Sequence, residues 1–150
     1  MKNEQAGELV VTEPWTAQSG RIFEEGRAHR LVLNYALGFN EPTLDFLRGL
    51  PIRELEIIDR RLTNLEPIYS LAPTLESLHV TTHPDLTIRL TELPKLHSLV
   101  ASWAQVSDTI GQVSGLDDVF LLAYTPDNLE PLSSHTGLET LRMTRPVRNP

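Results

Sequence analysis

Five histidines and twenty carboxylates are the side chains of this 150-residue chain through which metal or acid–base chemistry would run. His79 and His83 are four apart, the spacing of a His-x-x-x-His zinc pair, which binds only when both rings face one side of a helix. The surrounding alternation instead puts His79 on a strand and His83 in the turn after it, so the two do not share a face. His29 and His97 fall singly on strand flanks. Ser77, His79 and Asp118 can be grouped as nucleophile, base and orienting acid, but neither an oxyanion hole nor a strained nucleophile turn accompanies them. Gly111-Gln112-Val113-Ser114-Gly115 lacks the lysine and the strand-to-helix setting of a phosphate loop. Gly115 is better explained as the exit of a short helical limb before Leu116. With no cysteine in the chain, disulfides, thiolate nucleophiles and Cys-type zinc sites are excluded. The expectation is no enzyme, no metal and no cofactor.

The elements that must carry any site are set by a repeat. The spacing apolar-x-x-apolar-x-apolar recurs at Ala28-Leu31-Leu33, Ile52-Leu55-Ile57, Leu75-Leu78-Val80, Leu96-Leu99-Ala101, Leu116-Val119-Leu121 and Leu138-Leu141-Met143. First positions 28, 52, 75, 96, 116 and 138 are separated by 24, 23, 21, 20 and 22 residues. Within a unit the period changes. Ile52, Leu55 and Ile57 fit a short strand with inward side chains, whereas Leu62, Leu65, Ile68 and Leu71 recur at about three, as in a helical or 3-10 return. Asn64-Leu65-Glu66-Pro67-Ile68 and Asn128-Leu129-Glu130-Pro131-Leu132 repeat nearly the same wording, with Pro where the first turn has no use for its N–H.

This pattern, from about Ala28 to Met143, resembles the short-repeat class of leucine-rich repeat proteins, with about six repeats like those of bacterial-type cytosolic members. The resemblance implies an α/β solenoid with a curved parallel β-sheet on its concave face and short helical, 3-10 or irregular return limbs on its convex face. One departure stands out. Three residues after the last strand position, where the family places Asn or Cys, this chain has Ala36, Arg60, His83, Ala104, Tyr124 and Pro146, so the family's buried asparagine ladder is absent.

Residues 1–27 are expected to cap the N-terminal end and residues 28–150 to form the repeats, with a C-terminal cap missing or minimal. In the cap, Leu9-Val10-Val11-Thr12 and Ile22-Phe23 read as strands, Glu24-Glu25-Gly26 as a turn, and Trp15 as a lid over the first core layer. Residues 40–49 read as a short helix with Pro42 in its first turn, Leu44 and Leu47 facing inward and Gly49 at its exit. No cap is visible after Met143. Charge and proline around Arg145 and Pro146 blunt that edge, the chain continues beyond it, or a partner covers it.

Fixing the inward positions fixes the outward ones. The central outward column is Val32, Glu56, His79, Val100, Phe120 and Arg142. Beside it runs Asn34, Ile58, Thr81, Ser102, Leu122 and Thr144. Flanking positions add Arg30, Glu54, Ser77, Ser98, Asp118 and Thr140 on one side, and Tyr35, Asp59, Thr82, Trp103, Ala123 and Arg145 on the other. Val100, Trp103, Phe120 and Leu122, with Ile58 and Tyr124 nearby, make an apolar patch of a kind that monomers seldom expose. Glu54, Glu56, Asp59, Asp117 and Asp118 would rim it, the form of a protein-binding hot spot. The expected partner-binding set is Trp103, Phe120, Val100, Leu122, Ile58, Glu56, Asp59, His79 and Asp118. Cover by a loop, the N-terminal segment or a dimer mate, or a shifted register, would remove the patch.

A net charge of -7 repels phosphate backbones and anionic lipid, so neither nucleic acid nor membrane is the expected partner. The first eight residues lack the apolar core of a secretion signal and no apolar run reaches membrane-span length, which fits a cytoplasmic protein. The leading expectation is a module that binds another protein through the concave sheet face. A narrower form is an immunity or inhibitor protein masking a basic toxin or effector. The alternative is a self-associating scaffold, or a fragment of a longer repeat protein, that joins through its uncapped edge; the expected state is a monomer or a weakly self-associating one.

Overall fold

The computed structural model describes residues 3–5 and 7–146, so 1–2 and Ala6 of the expected cap and 147–150 of the C-terminal stretch lie outside the described residues. One eight-stranded sheet runs in chain order: β1 (Asn3–Gln5), β2 (Glu8–Val10), β3 (Arg30–Asn34), β4 (Glu54–Ile58), β5 (Ser77–Thr81), β6 (Ser98–Ser102), β7 (Asp118–Leu122) and β8 (Thr140–Met143). β1 pairs antiparallel to β2, and the seven strands β2 to β8 are all parallel. A parallel neighbour requires the chain to cross back after each strand. Here the crossings are short 3-10 segments, such as Glu66–Leu71, Leu90–Glu92, Ile110–Gln112 and Glu130–Leu132. This is a repeat-like α/β fold, compatible with a solenoid.

The register follows the apolar spacing residue for residue. Leu9, Leu31, Leu55, Leu78, Leu99, Val119 and Leu141 stand side by side across the seven parallel strands. Leu33, Ile57 and Val80 align in the next layer, as do Ala101, Leu121 and Met143. Against them the returns bury Leu44, Leu47, Ile68, Leu71, Leu90, Ile110 and Leu132, making one continuous core. Each step also reuses one backbone device: a single carbonyl accepts two successive N–H groups of the next strand's start. Gly7, His29, Arg53, Glu76, His97 and Asp117 supply these carbonyls in turn, at 2.7–3.2 Å.

Two expected elements differ. Ile22 and Phe23 lie not in a strand but in helix α1 (Ala17–Glu24), where Ser19, Gly20, Ile22 and Phe23 share one buried face. A β-branched residue next to an aromatic suggests a strand locally, but only the helical turn brings 19, 20, 22 and 23 onto one side. The helix closes on Gly26 at φ +73°, with Gly26 N–H donating to Phe23 O and Arg27 N–H to Ile22 O, the paired bonds that satisfy a helix's last carbonyls. In the 40–49 segment the expected helix shrinks to a 3-10 turn at Asp45–Leu47, although Leu44 and Leu47 are buried as anticipated. Trp15 packs on Phe46 at 4.4 Å and against the core, in keeping with a lid.

Where the asparagine ladder is missing, other polar side chains are buried in the same layer of turns. The side-chain amide of Gln105, within helix α2 (Trp103–Val106), donates to Thr82 Oγ1 and Leu86 O, both at 2.9 Å. His135 Nε2 lies 2.8 Å from Ile110 O and Nδ1 accepts from Leu116 N–H at 3.2 Å. Because Nδ1 must carry a lone pair to accept, the arrangement selects the Nε2–H tautomer. These groups hold successive turns together by a different residue at each step, at varying offsets from the strand. Among the described residues no buried side-chain N or O atom lacks a partner.

Candidate functional site

The outward columns assemble as the alternation requires. Val32, Glu56, His79, Val100, Phe120 and Arg142 are register neighbours on the sheet face turned away from the core. Val32 is buried; Glu56, His79, Val100 and Phe120 are half-buried and Arg142 is exposed. Ile58 and Leu122, both half-buried, lie in the next column beside Thr81 and Ser102 respectively. The face divides into two unlike halves.

In the N-terminal half the charges satisfy one another. Arg30 reaches Glu8 at 3.1 Å, Glu56 at 2.9 Å and Glu54 at 3.8 Å. His29 stands 3.2 Å from Glu54, and His79 3.3 Å from Glu56 and from Thr81 Oγ1. His79 is thus engaged with Glu56 and Thr81, and the Ser77-His79-Asp118 grouping is not assembled. Along the adjoining edge Glu76 bridges Arg53, at 2.9 Å, and His97, at 3.8 Å. The Arg53 hydrogen bond and charge hold the Glu76 carboxyl below its usual range. Among the described residues no three His, Asp or Glu converge as a metal set.

In the C-terminal half Val100, Phe120 and Leu122 lie together with no charged side chain between them. Val100 and Phe120 are direct neighbours, and the Arg142 guanidinium stacks over the Phe120 ring at 4.9 Å. Arg142 makes no ion pair among the described residues. Asp118 flanks the cluster from the row of Ser98 and Thr140. At the other end Arg145 caps Tyr124, with its Nη1 donating to Tyr124 O at 3.0 Å and its guanidinium 5.4 Å from the ring.

Four expectations about the site need correction. Asp59 is not on the surface: its side chain is 1% exposed and its carboxylate takes two bonds from the Arg61 guanidinium and one from Arg61 N–H, each 2.9 Å. Burial alone pushes this carboxyl up, but the bonds and charge of Arg61 outweigh it and hold the group below its ordinary value. Trp103 opens α2, half-buried, with its ring edge against Tyr124 at 4.8 Å, so it belongs as much to the core margin as to the face. Tyr124 is fully buried, its hydroxyl donating to Asn128 O at 2.7 Å. Of the expected acidic rim, Glu54 and Glu56 are taken up by Arg30 and Asp117 lies 3.3 Å from His97, so the titratable and charged side chains directly beside the apolar cluster are His79, Asp118 and Arg142.

The sequence reading also passed over some features. Leu37 is more than half exposed in the 3-10 turn after β3, and the Tyr35 ring, exposed as its flanking position implied, lies under the Arg61 guanidinium at 5.6 Å. Ala123, next to Leu122, adopts φ +56°, a conformation that costs an L-residue energy. It is fixed by Thr144, whose Oγ1 accepts from Ala123 N–H at 2.9 Å and whose carbonyl accepts from Tyr124 N–H at 2.8 Å. No residue type announces such a bend. No helix among the described residues is long and apolar enough to cross a membrane. Compared with known proteins, the chain matches no family model, no curated protein and no solved structure.

Proposed function

We propose that the chain is a protein-binding module of leucine-rich-repeat type whose outward sheet face, centred on Val100, Phe120 and Leu122, is the working surface. The observation that carries this reading is the apolar cluster itself: three neighbouring, half-buried side chains on the outward face of a parallel sheet, one of them under a stacked guanidinium. Rigid, preorganised apolar anchors with a polar border are what a specific partner engages, because little ordering is lost on docking. Arg142 favours a partner bringing a carboxylate beside its apolar contact; Asp118 offers one position for a cation.

An immunity or inhibitor role against a basic toxin is a narrower form of the same proposal. The net charge of -7 supports it through long-range steering. The self-pairing of Glu54 and Glu56 with Arg30 works against it, since a basic partner would have to displace an existing cation.

The test is binding with purified components, after a partner has been recovered from native lysate on wild-type chain. Replacing Phe120 and Leu122 by Ala should weaken the complex by about 2 kcal/mol or more, roughly 30-fold, with the circular dichroism spectrum unchanged. An unaltered affinity would remove this face from consideration.

A further inference from the structure

Three of the return limbs close alike. Three residues ahead of Leu75, Leu96 and Leu138, the N–H groups of Ala72, Leu93 and His135 donate to Tyr69 O, Leu90 O and Leu132 O, at 3.0–3.2 Å. Val113 holds the same place ahead of Leu116 but makes no such bond, and its backbone is extended, with φ -120° and ψ 165°. His135 of the following repeat is the reason. Its Nε2–H takes Ile110 O at 2.8 Å, the carbonyl that would have closed the turn, and its Nδ1 accepts from Leu116 N–H at 3.2 Å. Ser134 Oγ donates to Val113 O at 2.7 Å. The segment 113–116 is thus pinned to the repeat after it and stands off from the repeat before it. The gap is a groove of about 320 Å³, lined by the buried Leu90, Leu93, Leu96 and Leu116 and by the more exposed Pro94 and Val113. None of the residues lining it is charged.

The backbone defines what this groove offers. The peptide bonds are trans, so the C=O and N–H of one peptide plane point opposite ways. Val113 C=O turns toward Ser134, which sets Ser114 N–H toward the groove. Leu116 N–H turns toward His135, which sets Gly115 C=O toward the groove as well. Neither group has a partner among the described residues. A single donor beside a single acceptor does not suit an anion, which needs several converging N–H groups. It does suit main chain, which brings one C=O and one N–H per residue.

We propose that this groove is a second binding site, taking an extended, uncharged peptide segment of a partner protein. The segment's main chain bonds to Ser114 N–H and Gly115 C=O, and an apolar side chain lies against Leu93 and Pro94. Main-chain bonds with a pocket for one side chain are the usual economy of peptide recognition by added strands. Charge selects the occupant: a Lys, Arg, Asp or Glu side chain entering the groove would give up water and meet no counter-charge. The chain itself fills the corresponding place at an earlier repeat. Thr74, which stands where Gly115 does, donates its hydroxyl to Ile52 O at 2.7 Å. At Gly115 that space is empty, since a Cβ there would meet one atom, Leu96 O, at 3.8 Å. The groove lies among the return limbs, across the core from the outward face, so either reading can fail without the other.

The experiment is an NMR titration of the isotope-labelled chain with the peptide acetyl-Thr-Val-Thr-Val-Thr-amide, with folding followed by circular dichroism. The amide resonances of Ser114, Gly115 and Leu116 should move, with half-saturation below about 1 mM. The same peptide with aspartate in place of both valines, or with its main-chain amides N-methylated, should bind at least about tenfold more weakly. Two variants should lose affinity by a similar factor while staying folded. Gly115→Thr fills the groove as Thr74 does, and Ser114→Pro removes the N–H that faces it, where Val113 is already in the extended conformation that precedes proline. Resonances at 114–116 that stay still overturn the proposal, as does an affinity unchanged in either folded variant or equal for the aspartate peptide. Movement confined to Val100, Phe120 and Leu122 would place the peptide on the outward face and overturn it too.

Discussion

Asn64-Leu65-Glu66-Pro67-Ile68 and Asn128-Leu129-Glu130-Pro131-Leu132 are almost the same words in two places, and their backbones agree. Leu65 has φ -101° and ψ 2°, Leu129 φ -97° and ψ 10°, each leading into a 3-10 turn with proline in its first positions. The Asn side chain accepts from the Glu N–H two residues on in both, at 2.8 and 3.0 Å. Yet Leu65 is 4% exposed and Leu129 52%. The local sequence makes the turn; whether its leucine is buried depends on a following repeat to pack against. Leu65 has one, and Leu129, among the described residues, has none.

The sharpest way to break this comparison is to truncate the two leucines. Leu65→Ala should cost about 2–5 kcal/mol of unfolding free energy, whereas Leu129→Ala should stay within about 0.5 kcal/mol. Equal costs in denaturant titrations would mean that Leu129 is covered in solution by a segment or partner packed against it. The second contrast lies in the polar layer between. Gln105→Leu should lose about 1–3 kcal/mol, because it strips the buried Thr82 hydroxyl and Leu86 carbonyl of their donor. Asn64→Ala and Asn128→Ala should each lose about 1 kcal/mol and, unlike the leucines, should match each other, since both remove the same local bond.

A pH series sharpens the N-terminal side. The Asp59 carboxyl is held below its ordinary value in the folded chain, burial being outweighed by Arg61. The stability this contributes is fully present above the unfolded value of about 4 and is lost as pH falls through the lower folded value. The melting-temperature gap between wild type and Asp59→Asn should therefore be constant near neutrality and narrow in acid. A gap independent of pH would mean that the Arg61 contacts do not depend on the carboxylate charge. The smallest effect is expected at Ala123, held at φ +56°. Ala123→Gly should gain about 0.5 kcal/mol, the relief of left-handed strain slightly exceeding the entropy that glycine loses.

How much of this was legible beforehand differs from residue to residue. Leu31, Leu55, Leu78, Leu99, Val119 and Leu141 announced both strand and register, because a period of two with a step of 20 to 24 residues leaves one way to bury them all. The outward neighbours Val100, Phe120 and Leu122 followed from the same alternation. Asp59, Trp103 and Tyr124 did not. They stand just past strand ends, where alternation stops and the turn at each step decides the direction of the side chain. Gln105 and His135 escaped notice for the same reason: their partners are backbone groups of neighbouring turns, at no fixed sequence offset. Ile22 and Phe23 were misplaced because two residues cannot distinguish a period of two from one of 3.6.

By itself, then, the sequence determined the repeat, the six repeat strands, the face each of their residues occupies and the conformation of the Asn-Leu-Glu-Pro turns, since these depend on contacts within one unit or on a spacing kept throughout. Only the tertiary structure decided which carboxylates are already neutralised and which turn residues are buried. Those outcomes depend on what an adjacent repeat, 20 or more residues away in the chain, brings into hydrogen-bonding or packing distance.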